Sequence, residues 1–204
     1  MHVTVGRRWR LAALGACLIA AGAVSISASG TARADTTDTG GTATVSLSRS
    51  FLLGLARSNV IILPGSPTTS SYASDLDAYT LPVTGGDGEV SIFFGQVHFG
   101  GTLTFVNAKA RKAVTITKVR LNFFTGALTG DLPGSAGQTA LAYFGGDEST
   151  SSQPGPPATE SFSSSQLNLS GKAAKALNSD LHTTVFVKGT NIGTFTTTFD
   201  VSVS

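Results

Sequence analysis

Cysteine and tryptophan are nearly absent from this sequence. Its 204 residues include one cysteine, Cys17, and one tryptophan, Trp9, and both precede residue 35. A lone cysteine cannot form a disulfide within the chain, and it cannot supply the several thiolates of a structural zinc site. The chain beyond residue 34 can therefore hold no disulfide and no thiolate metal site.

Catalytic motifs are lacking as well. The sequence has no G-x-S-x-G segment for an activated serine, and no glycine-rich phosphate loop leads into a helix. Carboxylate pairs such as Asp87 and Glu89 occur in glycine-rich turns, where nothing in the sequence assigns them acid–base roles. The sequence therefore predicts a protein that is not an enzyme.

The charge balance argues against a nucleic-acid partner. Four of the fourteen Lys and Arg residues precede Asp35, whereas all twelve acidic residues lie at or beyond it. The chain from Asp35 onward thus carries a formal charge of −2, although the whole sequence carries +2. It also has no basic cluster with interleaved aromatic residues, which is the usual signature of nucleic-acid binding.

The first 34 residues have the pattern of a secretory signal peptide. A basic stretch with Arg7 and Arg8 precedes an uncharged apolar run over residues 11–24. The small residues of Ala32-Arg33-Ala34 then predict cleavage between Ala34 and Asp35. The apolar run is too short to span a bilayer, and we expect no transmembrane segment in the mature chain. The predicted location is extracellular.

An alternative for the N-terminus is lipidation. Leu14-Gly15-Ala16-Cys17 resembles a lipoprotein box, although the apolar run continues beyond the cysteine. A lipid on Cys17 would tether the protein to the outer face of the membrane.

Beyond the signal peptide, alternating apolar and polar residues predict a mostly β protein. In the C-terminal segment, Phe195, Phe199, Val201 and Val203 alternate with polar residues. Residues 35–41 are expected to form a flexible lead, and residues 42–204 a single domain. The prediction for this domain is an antiparallel β-sandwich with two short helices.

Local patterns refine this prediction. Ser48 and Ser170 are candidate N-caps of the two helices. The apolar run Val60–Gly65 predicts a buried strand, and residues 145–160 predict a mobile loop. Residues 183–188 are expected to pair with the C-terminal strand as a hairpin.

Several motifs in order resemble those of a known family. They are a strand ending at Leu47-Ser48 before a short helix, then LPVTGG at 81–86, GQVHFGGTLTF at 95–105, VTITKVRLNFFTGALTGDL at 114–132 and LNLSGKAAKALN at 167–178. Together they resemble the HtaA-type, or heme-transport-associated, domain of actinobacterial secreted and surface proteins. The resemblance implies a β-rich domain and, in its best-known members, capture of heme at the cell envelope.

The resemblance also implies candidate heme contacts. Heme-binding members carry an iron-ligating tyrosine in the first helix, whereas this chain has Gly54 in that region. The family's second polar contact, a histidine near the glycine-rich strand, corresponds to His98. Tyr79 and Tyr143, like Tyr72, are candidate phenolate ligands that replace the missing helical tyrosine.

Two functions follow as hypotheses. The first is a secreted HtaA-like binding module for heme or a related small apolar ligand, with heme as a possible cofactor and no metal site of its own. The second is a structural or interaction domain that contacts other envelope proteins and has lost the heme site. The structural or interaction function is favoured if His98 is only a solvated strand residue and the tyrosines only cap the edge of the core.

Overall fold

The computed structural model describes residues 36–73 and 76–203. The predicted signal peptide and its cleavage site at Ala34 and Asp35 lie outside these residues, as does Cys17. A short 3-10 turn, Val90–Ile92, accompanies two helices and eleven strands in the described part of the chain. Their bounds are β1 Thr36–Leu47, α1 Arg49–Arg57, β2 Val60–Gly65, β3 Thr69–Ala73, β4 Leu76–Gly86, β5 Gln96–Phe99, β6 Thr102–Asn107, β7 Lys112–Asn122, β8 Ala127–Asp131, β9 Gln138–Gln153, β10 Ala158–Leu169, α2 Gly171–Leu181 and β11 Asn191–Val203.

The strands close into an antiparallel barrel. Eight of them follow one another in the order β7, β5, β4, β1, β11, β10, β9, β8, and β8 pairs with β7 again. The mostly β composition and the two helices agree with the sequence prediction, but a closed barrel replaces the expected sandwich. Alternating side chains bury one face of each strand in either architecture, so the sequence pattern does not distinguish them.

Strand β7 belongs to the barrel and to a second sheet. Its second half pairs with β5 and β8, whereas its first half pairs with β6, which in turn pairs with β2. Lys118 adopts a left-handed conformation at φ 49°, next to a register shift in the β7–β8 pairing. This bulge moves the buried positions from Val114 and Ile116 to Val119 and Leu121, which confirms the parity change seen in the sequence.

Phenylalanines fill the barrel interior. Phe162, Phe195 and Phe199 are at most 2% exposed, and Phe123 is 6% exposed. Phe123 and Phe162 meet edge to face with ring centroids 5.6 Å apart, an arrangement that stabilises beyond simple burial. The core is therefore one continuous apolar cluster that extends under both helices.

Both helices begin where the sequence predicted. The Ser48 side chain accepts a hydrogen bond from the Phe51 amide, and the Ser170 side chain accepts one from the Ala173 amide. Such caps satisfy backbone N–H groups that have no partner within the helix. Helix α2 then buries Leu177, and α1 buries Leu55.

The segment before β11 is not the strand that its sequence predicted. Residues 183–190 are irregular, and the Asn178 side chain of α2 holds them. Its amide donates to the Phe186 carbonyl at 2.7 Å and its oxygen accepts from the Phe186 amide at 3.0 Å. Phe186 packs on Phe51 and Phe105, with ring centroids 6.2 and 5.7 Å away. The segment therefore serves to anchor a buried ring between α1 and β6.

Two stretches expected to be irregular are strands instead. Residues 36–39, within the predicted lead, pair with residues 200–203 of β11. Most of residues 145–160, expected as a mobile loop, form the β9–β10 hairpin, where Ser149 and Ser163 hydroxyls lie 2.7 Å apart. Serine and threonine satisfy strand positions here through cross-strand hydrogen bonds, which composition alone did not reveal.

The loop between β4 and β5 is held by two buried carboxylates. Asp38 is 1% exposed and accepts from the Gly88 amide at 2.8 Å, while Glu160 is 5% exposed and accepts from the Val90 amide at 2.6 Å. Burial raises the pKa of Asp38 to about 7, helped by the nearby charges of Asp87 and Glu160. Burial likewise raises the pKa of Glu160. The carboxylates fasten this loop over the barrel interior.

Candidate ligand-binding groove

A groove of about 550 Å³ runs beside α1. Helix α1 forms one wall, edge strand β2 a second, and the β3–β4 hairpin the third. The volume is within the range of small-molecule sites in proteins. The groove is lined by Arg49, Leu52, Leu53, Leu55, Ala56, Val60, Ile61, Ile62, Tyr72, Asp77 and Tyr79.

The groove owes its apolar surface to side chains that the core does not cover. Phe51 and Leu55 occupy the buried face of α1, which leaves Leu53 47% exposed on another face. On β2, Ile61 is 51% exposed, because this strand pairs with β6 on one side and is an edge strand of its sheet. The sequence predicted β2 as a buried strand. The strand is present, but much of its apolar surface faces solvent.

Polar groups lie at one side of this apolar surface. Tyr72 is 71% exposed, and Asp77 is its direct partner in the β3–β4 pairing. Directly opposed residues of an antiparallel pair project to the same face, so the phenol and the carboxylate both face the groove. Arg49, in the first turn of α1, adds a guanidinium group to the lining. The groove thus combines an aliphatic wall with a phenol, a carboxylate and a cation.

Tyr79, one of the predicted heme contacts, forms the floor of this groove. It is 4% exposed, and its hydroxyl donates to the Ile62 carbonyl at 3.4 Å. Burial, together with the charge of Asp77, raises the pKa of Tyr79 to about 12. A phenol in this setting remains protonated at neutral pH, and the anionic form that binds iron is disfavoured.

His98 lies at a different place, toward the other end of β4. It projects outward from β5, opposite Gly85 and Arg120, and lines a second cleft with Phe94 and Phe124. Burial and the positive charge of Arg120 lower its pKa, which keeps the imidazole neutral at neutral pH. The outward orientation agrees with the strand parity read from the sequence.

Tyr143 occupies a third location. It is 48% exposed on β9, which is three strands from β5 around the barrel. The structure therefore does not bring His98, Tyr79 and Tyr143 into one site, and only Tyr79 lies in the groove beside α1. Whether any of them contacts heme stays a prediction.

Gly54 stands in the part of α1 where the family resemblance predicts a tyrosine. A side chain at Gly54 would lie 3.6 Å from Val185 and is not part of the groove lining. Leu53 is the large apolar residue of α1 that lines the groove and is exposed. Sequence reasoning missed the roles of Leu53, Ile61 and Arg49, although the helical spacing of Phe51 and Leu55 already placed Leu53 outside the core face.

Metal clusters and membrane-spanning helices are not found among the described residues. In residues 36–73 and 76–203, no group of three or more His, Cys, Asp or Glu side chains is placed to hold a metal ion. Neither described helix combines the length and the hydropathy needed to cross a membrane.

The structure is distantly similar to a solved protein structure. No family model matches the chain, and no curated protein matches it. The crystal structure of the heme binding protein HtaB from Corynebacterium glutamicum is similar over 83% of this chain and 94% of that chain, with 14% sequence identity and a TM-score of 0.47. A likeness this distant carries no argument about a ligand. The resemblance to the HtaA-type family remains a prediction.

Proposed function

We propose that this protein is a secreted, non-enzymatic binding module of the HtaA-like kind that holds heme in the groove beside α1. The observation that carries the proposal is that the exposed apolar side chains of Leu53 and Ile61 line the same groove as the exposed phenol of Tyr72. A folded protein usually covers such a surface or uses it for binding. Secretion rests on the N-terminal sequence pattern.

The chemistry of the groove matches the parts of a heme molecule. The porphyrin ring is flat and apolar, and aliphatic side chains on two walls suit its faces. A tyrosine phenolate is an established ligand of heme iron. Tyr72 fits this role better than Tyr79, because it is exposed to solvent whereas Tyr79 is buried with its hydroxyl bound to a backbone carbonyl. Arg49 supplies a partner for a propionate.

A hemin titration of the chain from Asp35 onward tests the proposal. Binding produces a Soret band that saturates at one hemin per protein, and Tyr72→Phe should weaken binding by roughly tenfold or more because the iron loses its ligand. Tyr143→Phe is the matched control, since it removes an exposed strand hydroxyl outside the groove. No saturable band, or a band unaffected by Tyr72→Phe, contradicts this assignment.

His98→Ala separates the groove from the second cleft. If hemin occupies the groove beside α1, this variant should bind it as tightly as the unmodified protein, because His98 lines the other cleft. A band abolished by His98→Ala and retained in Tyr72→Phe would place heme in the second cleft instead.

One observation favours the alternative function, an envelope structural or interaction domain without heme. The first helix carries Gly54 in the region where heme-binding relatives are expected to have their tyrosine. Under this alternative, the same titration yields no Soret band, and the exposed wall of Leu53 and Ile61 is a contact surface for another envelope protein.

A further inference from the structure

The second cleft, about 660 Å³ in volume, differs in character from the groove beside α1. Its apolar lining consists of two phenylalanine rings, Phe94 and Phe124, which are 46% and 83% exposed. The remaining side chains that line it are polar: Asp87, Gln96, His98 and Asn122. Exposed aromatic rings beside several hydrogen-bonding groups suit a ligand that has both apolar faces and a polar rim.

Hydrogen bonds hold the walls of this cleft in place. The Asp87 amide donates to the Gln96 carbonyl at 2.9 Å, and the Asp87 carboxylate accepts from the Gln96 amide at 2.9 Å. The Phe123 amide donates to the Gly95 carbonyl at 3.2 Å, which fixes the turn carrying Phe124 against the loop carrying Phe94. Gly95, at φ +80°, lets the Asp87 backbone lie close against it, because a Cβ there would lie 2.1 Å from the Asp87 carbonyl oxygen. A cleft built in advance loses little conformational entropy when it binds.

The polar side chains offer both donors and acceptors. The Gln96 side-chain oxygen accepts from Arg120 at 3.4 Å, and the Asn122 side-chain oxygen accepts from the Thr125 amide at 3.0 Å. Because both side-chain oxygens already accept hydrogen bonds, the NH2 groups of Gln96 and Asn122 are the donors that these side chains offer to a ligand. The Asp87 carboxylate is an acceptor, and a neutral His98 imidazole can both donate and accept. Such a set matches neighbouring hydroxyl groups, each of which donates and accepts.

We propose that this cleft is a binding site for a neutral saccharide, with a pyranose ring packed on Phe124 and Phe94 and its hydroxyls bound by Asp87, Gln96, His98 and Asn122. The C–H bonds on a pyranose face are weakly positive and attract the negative face of an aromatic ring. The rim of the same sugar carries the hydroxyls that these polar groups recognise. Heme suits the cleft less well, because a porphyrin needs apolar contact over a much wider area than two rings provide.

The test is a titration of the isotope-labelled chain from Asp35 onward with two neutral oligosaccharides, chitotetraose and maltotetraose, followed by amide NMR shifts. At least one should shift the amides of Gly95, Gln96 and Phe124 saturably, with a dissociation constant on the order of 1 mM or tighter. Phe124→Ala should weaken that binding by roughly tenfold, and Phe124→Tyr should retain it. Because Phe124 is 83% exposed, its replacement leaves the core intact.

Tyr143→Ala is the control, since it removes an exposed aromatic ring from β9 that does not line the cleft. It should bind the oligosaccharide as the unmodified protein does. The proposal is overturned if neither oligosaccharide shifts the cleft amides, or if Phe124→Ala binds as tightly as the Tyr143→Ala control. Hemin binding in the groove beside α1 is a separate measurement, and its absence leaves this proposal unaffected.

Discussion

We expect Asp38 to make the stability of the barrel depend on pH. Its carboxylate is 1% exposed, and one of its oxygens, Oδ1, has no hydrogen-bond partner among the described residues. Burial raises its pKa from 3.8 to about 7, so the folded protein binds this proton more tightly than the unfolded chain does. The resulting stabilisation is fully present below about pH 4 and is lost as the pH rises through 7.

The size of the effect follows from the two pKa values. Between pH 5 and pH 8, a carboxyl group with a pKa of about 7 when folded and 3.8 when unfolded loses roughly 2 to 3 kcal/mol of stabilisation. That is a large part of the ~5–15 kcal/mol that separates folded from unfolded domains. Glu160, whose pKa burial also raises, changes stability in the same direction.

Urea unfolding at pH 5 and at pH 8 measures this difference. The unmodified protein should be more stable at pH 5, and Asp38→Asn should reduce the difference, because asparagine keeps an acceptor for the Gly88 amide without a charge. Asp200→Asn, at a half-buried carboxylate that accepts from Thr159, is the control and should retain the full pH dependence. Greater stability at pH 8, or an unchanged pH dependence in Asp38→Asn, would refute the reasoning.

Three further predictions concern the groove, the segment before β11 and the core. Leu53→Tyr places a phenol in the groove and should tighten hemin binding by roughly tenfold in a Soret titration. Asn178→Ala removes both hydrogen bonds to Phe186 and should cost about 2–3 kcal/mol in urea unfolding. Phe162→Ala empties part of the barrel interior and should cost about 3–5 kcal/mol in the same assay.

Each of these has an outcome that contradicts it. A Leu53→Tyr variant that binds hemin no more tightly would show that this face of α1 does not meet the iron. An Asn178→Ala variant within about 0.5 kcal/mol of the unmodified protein would show that the segment is held by Phe186 packing alone. A Phe162→Ala cost below about 1 kcal/mol would contradict a tightly packed aromatic interior.

Local features of the fold were accessible from the sequence, and non-local ones were not. The caps at Ser48 and Ser170 and the parity change around Lys118 depend on residues close in sequence, and the structure confirms them. Barrel closure depends on which strands become neighbours, and alternation carries no information about that. Residues 183–188 are irregular where the sequence predicted a strand, because the Asn178 side chain bonds the Phe186 backbone and the Phe186 ring is buried.

The candidate groove was harder to predict than the fold. An apolar run such as Val60–Gly65 has the same composition whether it is buried in a core or exposed at a sheet edge. Likewise, Tyr72 and Tyr79 are equivalent in sequence. Tyr79 lies on β4, which pairs with β1 and β3 on its two sides, and it is buried. Tyr72 lies on β3, for which β4 is the paired strand, and it is exposed. Sequence reasoning identified suitable residue types, and the topology decided which of them meet.

The adjacency of β1 and β11 has a consequence for how the chain folds. The Thr197 hydroxyl donates to the Thr42 carbonyl across 155 positions of sequence, and β1 pairs with β11 along nearly its whole length. The barrel cannot close until β11 pairs with β1. Loop-closure entropy makes contacts of such separation slow to form. We therefore expect slow refolding, and loss of β11 should leave β1 and β10 as unpaired edges prone to self-association.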